Sequence, residues 1–123
     1  MKVFKFGGAS VKDAAGVRNV ASIITRNNDE MIVVVSAMGK TTNLLETLVK
    51  AHFNGWDETM EIYDDFRKFH LDISEELFGS AGEIPGEIHV LLNEVGKRLT
   101  LPPSLLYDFE YDQFICYGEL VSS

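Results

Sequence analysis

A glycine pair directly after a short apolar strand is the first place in this sequence where chemistry could occur. Gly7 and Gly8 follow an alternating segment that contains Lys5, and a segment with helical periodicity begins a few residues later. Glycine lacks the Cβ that would keep a ligand from the backbone, and the first N–H groups of a helix attract anions. The ammonium group of Lys5 could reach the same anion. The segment therefore indicates either an anion-binding loop or a simple tight turn from strand to helix.

A second polar loop, residues 36–43, follows the apolar run Met31–Val35. It contains a glycine and several hydrogen-bonding side chains. It also lies at the carboxyl end of a predicted buried strand, where open α/β sheets bind ligands. Residues 39–41, Gly-Lys-Thr, partly match a P-loop, but that motif requires a glycine where this chain has Val34. A P-loop is therefore excluded, and Lys40 is predicted to be a loop lysine that is exposed or reaches over the site.

The last predicted helix, residues 111–123, has a glycine in its interior. Gly118 lowers the stability of a helix by about 1 kcal/mol relative to alanine, so a close approach by another backbone or by a ligand is predicted here. Glu119 stands beside it, either as part of a site or as an ordinary surface carboxylate. Cys116 is predicted to be a small buried residue, because nothing basic nearby would lower the pKa of its thiol.

Strands and helices alternate along the first half of the chain and must position these residues. Helical spacing of apolar residues predicts a helix over residues 13–26, with a strand on either side of it. This opening is a βαβ unit, whose crossover is right-handed by default. The next helix is predicted to begin at Asn43, where Glu46 completes a capping box, and to end at Asn54-Gly55. His52 on its apolar stripe is predicted to be a packed residue rather than a ligand.

Three further helices are predicted in the second half, at residues 57–78, after Pro85-Gly86 and at residues 111–123. Only two strands are predicted, and two buried strands cannot form a self-sufficient parallel sheet. The helical pattern also still continues at Ser123. These features predict that residues 1–123 are the first part of a larger α/β domain.

The composition of the chain argues against several kinds of partner and site. The chain has 123 residues, a formal net charge of −8 and a sequence pI near 4.7, which argues against nucleic acid or an acidic membrane surface as partner. Its apolar runs are too short for a membrane span, and residues 1–10 lack the apolar core of a signal peptide. A single cysteine excludes an internal disulfide and favours a reducing cytoplasm. The histidines are scattered, so no metal site is predicted.

Three segments resemble the signature blocks of the aspartokinases. Residues 5–10, Lys-Phe-Gly-Gly-Ala-Ser, resemble the Lys-Phe-Gly-Gly-(Thr/Ser)-Ser block of that family, and residues 35–43 and 118–122 resemble its second and third blocks. The blocks have the family's order and spacing, and they span nearly the whole chain. One departure is Ala9, where a threonine is usual. This change removes a hydroxyl from the loop but leaves the lysine and both glycines.

The resemblance implies an amino-acid kinase fold, which is a three-layer αβα sandwich around a mainly parallel sheet. Only the N-terminal part of that α/β fold would be present. The implied reaction transfers the γ-phosphoryl group of MgATP to the β-carboxylate of L-aspartate, the first step towards lysine, threonine and methionine. Because the substrate carboxylate is itself the nucleophile, no covalent enzyme intermediate is needed, and catalysis depends on positioning and charge stabilisation.

The resemblance also implies roles for individual residues. Lys5 would stabilise the transferring phosphoryl oxygens. Ser36 and Thr42 would hydrogen-bond aspartate, and Glu119 would pair with its α-ammonium group or orient Lys5. The ATP would carry Mg²⁺, for which no ligand is assigned in this chain. The residues expected at the ATP phosphates are Lys5, Phe6, Gly7, Gly8 and Ser10.

Other parts of such an enzyme are expected outside this chain, including most of the ATP site and the ACT regulatory domains. The 123-residue chain alone is therefore predicted to be inactive, to expose an apolar sheet edge and to self-associate. The whole protein is expected to be a homo-oligomer. One alternative is another amino-acid kinase, acting on glutamate, N-acetylglutamate, carbamate or a nucleoside monophosphate. The other is a binding or assembly module that keeps the fold without chemistry.

Overall fold

The strands and helices occur in the order that the sequence predicts. The computed structural model describes residues 1–79 and 82–123. No helix in this part of the chain is apolar over enough of its length to cross a lipid bilayer. The elements in chain order are β1 (Lys2–Phe6), α1 (Ala14–Thr25), β2 (Met31–Val35), α2 (Thr41–Asn54), α3 (Thr59–Phe78), α4 (Gly86–Leu99) and α5 (Tyr107–Ser122).

A βαβ unit opens the chain. β1 and β2 pair in parallel, and Phe6 at the end of β1 lies opposite Val35 at the end of β2. α1 connects the two strands. Asp13 caps the first turn of α1, because its carboxylate accepts a hydrogen bond from the Gly16 N–H at 2.8 Å. The predicted strand–helix–strand arrangement is confirmed.

One face of this two-stranded sheet is covered by α1 and α3. Phe4 and Phe6 of β1 and Val35 of β2 pack there against apolar side chains of both helices. Removing these side chains from water stabilises the contact between the sheet and the helices. The buried members of this cluster are Phe6, Val11, Ala14, Val20, Met38 and Ile73.

The opposite face of the sheet is open. Val3, Ile32 and Val34 have exposed fractions of 66%, 47% and 42%. Lys5 lies on the same face, because alternate residues of a strand point to opposite sides. The expectation that β2 is buried on both faces is therefore wrong for this chain, since the described residues cover the sheet from one side only. The apolar residues exposed here lie on a face of the sheet, whereas the prediction concerned its edge.

A second core lies among the other helices. α2 packs against α3 and α5, and α4 packs against α5. His52 lies on the buried stripe of α2, where its ring meets the Phe114 ring edge-on. The prediction that His52 is a packed residue is confirmed. The buried members of this core are Leu45, Leu48, Val49, Tyr63, Phe66, Leu92, Val95 and Phe114.

A buried ion pair fixes the connection between α4 and α5. The Glu110 side chain is fully buried, and its Oε1 accepts hydrogen bonds from Arg98 Nη2 at 2.5 Å and from the Ser104 N–H at 2.6 Å. Burial alone would raise the pKa of Glu110, but the two donors hold that pKa below its usual value. The charged carboxylate therefore orders the loop that leads into α5.

The beginning of α2 differs from the prediction. The helix begins at Thr41, and Asn43, which was expected to cap it, lies exposed in the first turn. Thr41 is only 1% exposed, and its N–H donates to the Met38 carbonyl at 3.0 Å. Burial of Thr41 therefore begins the helix two residues earlier than the capping-box pattern indicates.

α5 differs from the prediction in two details. Cys116 is exposed rather than buried. The buried residues of this helix are Glu110, Phe114 and Gly118, which follow one another at four-residue spacing, so Cys116 points away from them. The helix also begins at Tyr107, one turn earlier than predicted, because the buried Glu110 belongs to its first turn.

Candidate functional site

Two loops at the carboxyl ends of β1 and β2 are joined through their backbones. The Ser36 N–H donates to the Phe6 carbonyl at 3.0 Å, and the Gly39 N–H donates to the Gly8 carbonyl at 3.2 Å. These bonds continue the pairing of the two strands beyond their last residues. Residues 7–10 and residues 36–40 of the predicted loop 36–43 therefore lie side by side at the edge of the sheet where α/β proteins bind ligands.

The first loop presents free backbone donors. Its turn is closed by the Ser10 N–H, which donates to the Gly7 carbonyl at 2.9 Å. Within the described residues, no backbone carbonyl accepts a hydrogen bond from the N–H groups of Gly7, Gly8 or Ala9. A Cβ built on Gly7 would meet no atom within 4 Å, so the space next to it is open. Successive free N–H groups beside open space suit an anion.

Gly8 and Gly39 are required where the two loops touch. A Cβ on Gly8 would lie 3.0 Å from the Ala37 carbonyl oxygen and 3.1 Å from the Gly39 carbonyl oxygen. Gly39 has φ of +53°, a left-handed conformation that other residues rarely adopt. The two glycines of the first loop thus differ in what they do. Gly8 lets the loops approach each other, and Gly7 leaves the surface open.

Three lysines lie on or beside the loops. Lys5 is the last but one residue of β1 and is exposed, whereas the neighbouring Phe6 points into the core. Lys12 and Lys40 are also exposed, and the Lys12 Cα lies 3.6 Å from a Cβ built on Gly39. In the part of the chain that the structure describes, none of these lysines forms an ion pair. They supply local positive charge for an anion in a chain of net charge −8.

The second loop carries the residues expected to bind an acceptor. Ser36 and Thr42 are both half-buried, Thr42 in the first turn of α2. A cavity of about 340 Å³ opens beside this turn, but the described residues that line it, among them Lys40, Thr41 and Phe69, include neither Ser36 nor Thr42. The cavity is therefore not counted as part of the candidate site.

α5 contacts the second loop through Gly118. A Cβ built on this residue would lie 2.9 Å from the Ala37 Cβ and 3.4 Å from the Thr41 Cγ2. Side chains of another segment approach Gly118 closely, in place of the backbone or ligand that was predicted. Glu119 beside it is exposed, and among residues 1–79 and 82–123 it forms no ion pair with Lys5. The structure thus joins the first two predicted segments through their backbones, packs Gly118 of the third against side chains of Ala37 and Thr41, and leaves Lys5 and Glu119 at the surface.

His70 of α3 also meets this junction, and sequence reasoning assigned it no role. It is 1% exposed, with Nε2 3.3 Å from the Thr41 Oγ1 and Nδ1 2.9 Å from the Phe66 carbonyl oxygen. Burial lowers the pKa of His70 from its ordinary value, which favours the neutral ring. Its position four residues after Phe66 and three before Ile73, on the apolar stripe of α3, is the signal that could have identified it as buried.

The donors at this site suit an anion. Backbone N–H groups and lysine ammonium groups both favour phosphate or carboxylate oxygens. The described residues contain no group of three or more histidine, cysteine or carboxylate side chains that could hold a metal ion. The surface between the two loops is therefore best suited to binding a phosphorylated or carboxylated small molecule.

Comparisons with known proteins identify relatives that match across these segments. The profile of the Amino acid kinase family matches residues 1–114. "Aspartokinase 2, chloroplastic" of Arabidopsis thaliana is 35% identical over 130 residues, which cover 98% of this chain and 23% of that protein. "Lysine-sensitive aspartokinase 3" of Escherichia coli strain K12 is 32% identical over 126 residues, which cover 98% of this chain and 26% of that protein.

A solved structure shows the same similarity in three dimensions. Aspartokinase III of E. coli, in complex with aspartate and ADP, matches with a TM-score of 0.78 and 31% identity over 99% of this chain and 27% of that chain. The chain thus spans about a quarter of the length of these relatives. Its α/β fold is that of the N-terminal part of such a kinase. Because the family profile covers nearly the whole sequence, the chain belongs to the amino acid kinase family.

Proposed function

We propose that residues 1–123 are the N-terminal portion of an aspartokinase catalytic domain. The domain would transfer the γ-phosphoryl group of ATP to the β-carboxylate of L-aspartate. The observation that carries this proposal is the junction of the loops 7–10 and 36–40 with Gly118 of α5. Two relatives that match across all three segments are named aspartokinases, and one solved relative holds aspartate and ADP.

The first loop would bind phosphate groups of ATP. The free N–H groups of Gly7 and Gly8 could donate to phosphate oxygens, and the open space next to Gly7 would admit them. Ser10 and the backbone of Phe6 complete the expected phosphate contacts. Lys5 would stabilise the oxygens of the transferring group, since its exposed ammonium is not paired with a carboxylate in the described residues.

The second loop and α5 would bind aspartate. The hydroxyl groups of Ser36 and Thr42 would hydrogen-bond its carboxylates, and both residues are half-buried. Glu119 would pair with the α-ammonium group or orient Lys5. The backbone bonds between the loops would then hold the acceptor carboxylate next to the phosphate, which is the main requirement of this reaction.

In the transfer, a β-carboxylate oxygen of aspartate forms a bond to the γ-phosphorus, and the bond from phosphorus to the bridging oxygen of ADP breaks. The products are 4-phospho-L-aspartate and ADP. An aspartate carboxylate is ionised at pH 7, so no general base is needed. Mg²⁺ bound to ATP would neutralise phosphate charge. We assign it no ligand here, because the described residues offer no ligand cluster.

Part of the ATP site would lie outside residues 1–123, so we expect the chain alone to show no steady turnover. The homo-oligomeric state and the cytoplasmic location remain predictions.

ADP release by the whole protein tests the activity, with L-aspartate compared with glutamate, N-acetylglutamate and UMP. We expect turnover with aspartate alone. Turnover with another acceptor would retain the family and contradict the substrate, and turnover with none would favour a binding module.

Two substitutions test the assigned roles. Lys5→Ala should abolish turnover, whereas Lys2→Ala on the same strand, which removes an exposed ion pair with Asp29, should retain it. Gly7→Ala should raise the KM for ATP without loss of stability, because a Cβ there meets no protein atom within 4 Å. Gly86→Ala, which is equally unobstructed and lies outside the site, is the matched control. An unchanged KM for ATP in Gly7→Ala would contradict the phosphate role of the first loop.

A further inference from the structure

His70 of α3 contacts the start of α2, next to a residue that the proposed function places at the acceptor. The rings of Phe66 and Phe69 pack edge-on against the imidazole at centroid distances of 4.7 and 5.1 Å. The Phe66 carbonyl oxygen lies 2.9 Å from Nδ1. These contacts fix both the position and the rotation of the ring.

The hydrogen bonds of this ring have a defined direction. A carbonyl oxygen can only accept, so Nδ1 carries the proton and donates to Phe66. In the neutral ring Nε2 then has a free lone pair, and it accepts the hydrogen of the Thr41 hydroxyl at 3.3 Å. The low pKa that burial gives His70 agrees with this neutral form.

Thr41 is held by two hydrogen bonds and lies next to Gly118 of α5. Its hydroxyl donates to His70, and its N–H donates to the Met38 carbonyl at 3.0 Å. Its methyl group lies 3.4 Å from a Cβ built on Gly118 of α5. The residue is 1% exposed. Thr41 therefore has little freedom to move, and its backbone orients the next residue, Thr42.

We infer that His70 is a positioning residue for the acceptor: through the Thr41 hydroxyl it fixes the first turn of α2, and so the direction of the Thr42 side chain. This inference rests on the proposed function, because Thr42 is taken to contact the aspartate carboxylate. His70 itself would touch neither substrate. Its removal should weaken binding of the carboxylate acceptor and leave the phosphate loop as it is.

The test uses the whole protein and pairs two substitutions at one residue. Thr41→Val removes the hydroxyl and keeps the branched shape, whereas Thr41→Ser keeps the hydroxyl and removes the methyl group. Thr41→Val should raise the KM for aspartate about tenfold, the effect of one buried hydrogen bond, with the KM for ATP changed less than about twofold. Thr41→Ser should stay near the wild-type KM for aspartate. His70→Gln, which retains an acceptor for the Thr41 hydroxyl, should give an intermediate value.

Ser74→Ala separates positioning from stability. The Ser74 hydroxyl donates to the His70 carbonyl at 2.7 Å, so this variant disturbs the same buried patch without touching the ring. It should lower the unfolding temperature and leave the KM for aspartate unchanged. Equal changes in the KM values for aspartate and ATP in Thr41→Val, or lower stability with both KM values unchanged, would overturn the inference.

Amide hydrogen exchange of residues 36–43 decides the inference without activity. Exchange in this segment should be faster in Thr41→Val than in the wild type or in Ser74→Ala. If the wild-type protein did not turn over aspartate, the proposed function would fail, and the exchange result would still show whether His70 fixes the loop. Equal exchange rates in all three proteins would overturn the positioning role.

Discussion

Replacing Gly118 by alanine tests the contact between α5 and the second loop. Two opposing effects decide the result. Alanine in place of a helical glycine stabilises a helix by about 1 kcal/mol. The added Cβ would, however, lie 2.9 Å from the Ala37 Cβ, 3.4 Å from the Thr41 Cγ2 and 3.5 Å from the Leu45 Cδ1, and such overpacking costs about 1–3 kcal/mol.

The overpacking effect should be the larger one. Ala37 lies between Ser36 and Gly39, whose N–H groups donate to the Phe6 and Gly8 carbonyls, so a shift of its Cβ would strain these bonds. A cost of about 2–3 kcal/mol less a gain of about 1 leaves a net loss of about 1–2 kcal/mol. For a chain of this size the loss corresponds to a fall in unfolding temperature of about 4–8 °C.

Urea and thermal unfolding of Gly118→Ala, measured at low protein concentration, check this value. Gly86→Ala is the control, because a Cβ at Gly86 at the start of α4 meets no atom within 4 Å. It should be as stable as the wild type or slightly more so. If Gly118→Ala matched or exceeded the stability of the wild type, the close contact between α5 and the second loop would be refuted.

Other expected outcomes concern charge, pH and association. Glu110→Gln should lower the free energy of unfolding by about 2 kcal/mol in urea titration, because it leaves the half-buried Arg98 without its anionic partner. Burial lowers the pKa of both His70 and His52. Below pH 6.5, the ordinary pKa of histidine, the unfolded chain therefore binds more protons than the folded chain. The free energy of unfolding should be highest above that pH and should fall as the pH drops through the lowered pKa values, and thermal unfolding at pH 7.5 and 5.5 would test this. Val34→Lys on the open sheet face should weaken self-association of the chain in sedimentation velocity.

Each of these outcomes has a control. Glu94→Gln removes an exposed ion pair with Lys97 and should leave stability unchanged, whereas an equally stable Glu110→Gln would contradict the role of the buried pair. His70→Gln should show a smaller loss of stability between pH 7.5 and 5.5, and a wild type equally stable at both pH values would be inconsistent with the buried histidines. Val90→Lys, at an exposed apolar position on α4, should leave association as it is. A strictly monomeric wild type across a wide concentration range would count against association through the sheet.

The order of elements was predictable because it depends on local patterns. The spacing of its apolar residues determines which face of α1 is buried. The run Met31–Val35, rich in β-branched residues, is predicted to be a strand and is one in the structure. The nearness of the two loops followed from the βαβ topology alone, since parallel strands end at the same edge. Gly118 was identifiable because a glycine inside a helix needs a reason from packing.

Features that depend on distant contacts could not be predicted in the same way. The helix α2 begins at Thr41, whose hydrogen-bond partner His70 is 29 residues away in the sequence. The capping-box pattern at Asn43 gives no indication of that contact. The exposure of β2 depends on which elements pack against the two faces of the sheet, and the local pattern of apolar residues does not record that. The roles of Lys5 and Glu119 stay predictions, because exposed side chains take their positions from the ligand they bind.

The alignment of β1 with β2 sets the distance between the two loops, because the bonds from Ser36 to Phe6 and from Gly39 to Gly8 extend the strand pairing. A slip of one residue would move one loop along the other by about 3.3 Å and would turn every side chain of the slipped strand, Lys5 included, to the opposite face. Through the strands, the spacing between the proposed phosphate and acceptor sites can therefore change only in whole-residue steps. A relative that accepts a longer substrate would have to lengthen a loop, since small adjustments of the strands are not open to it.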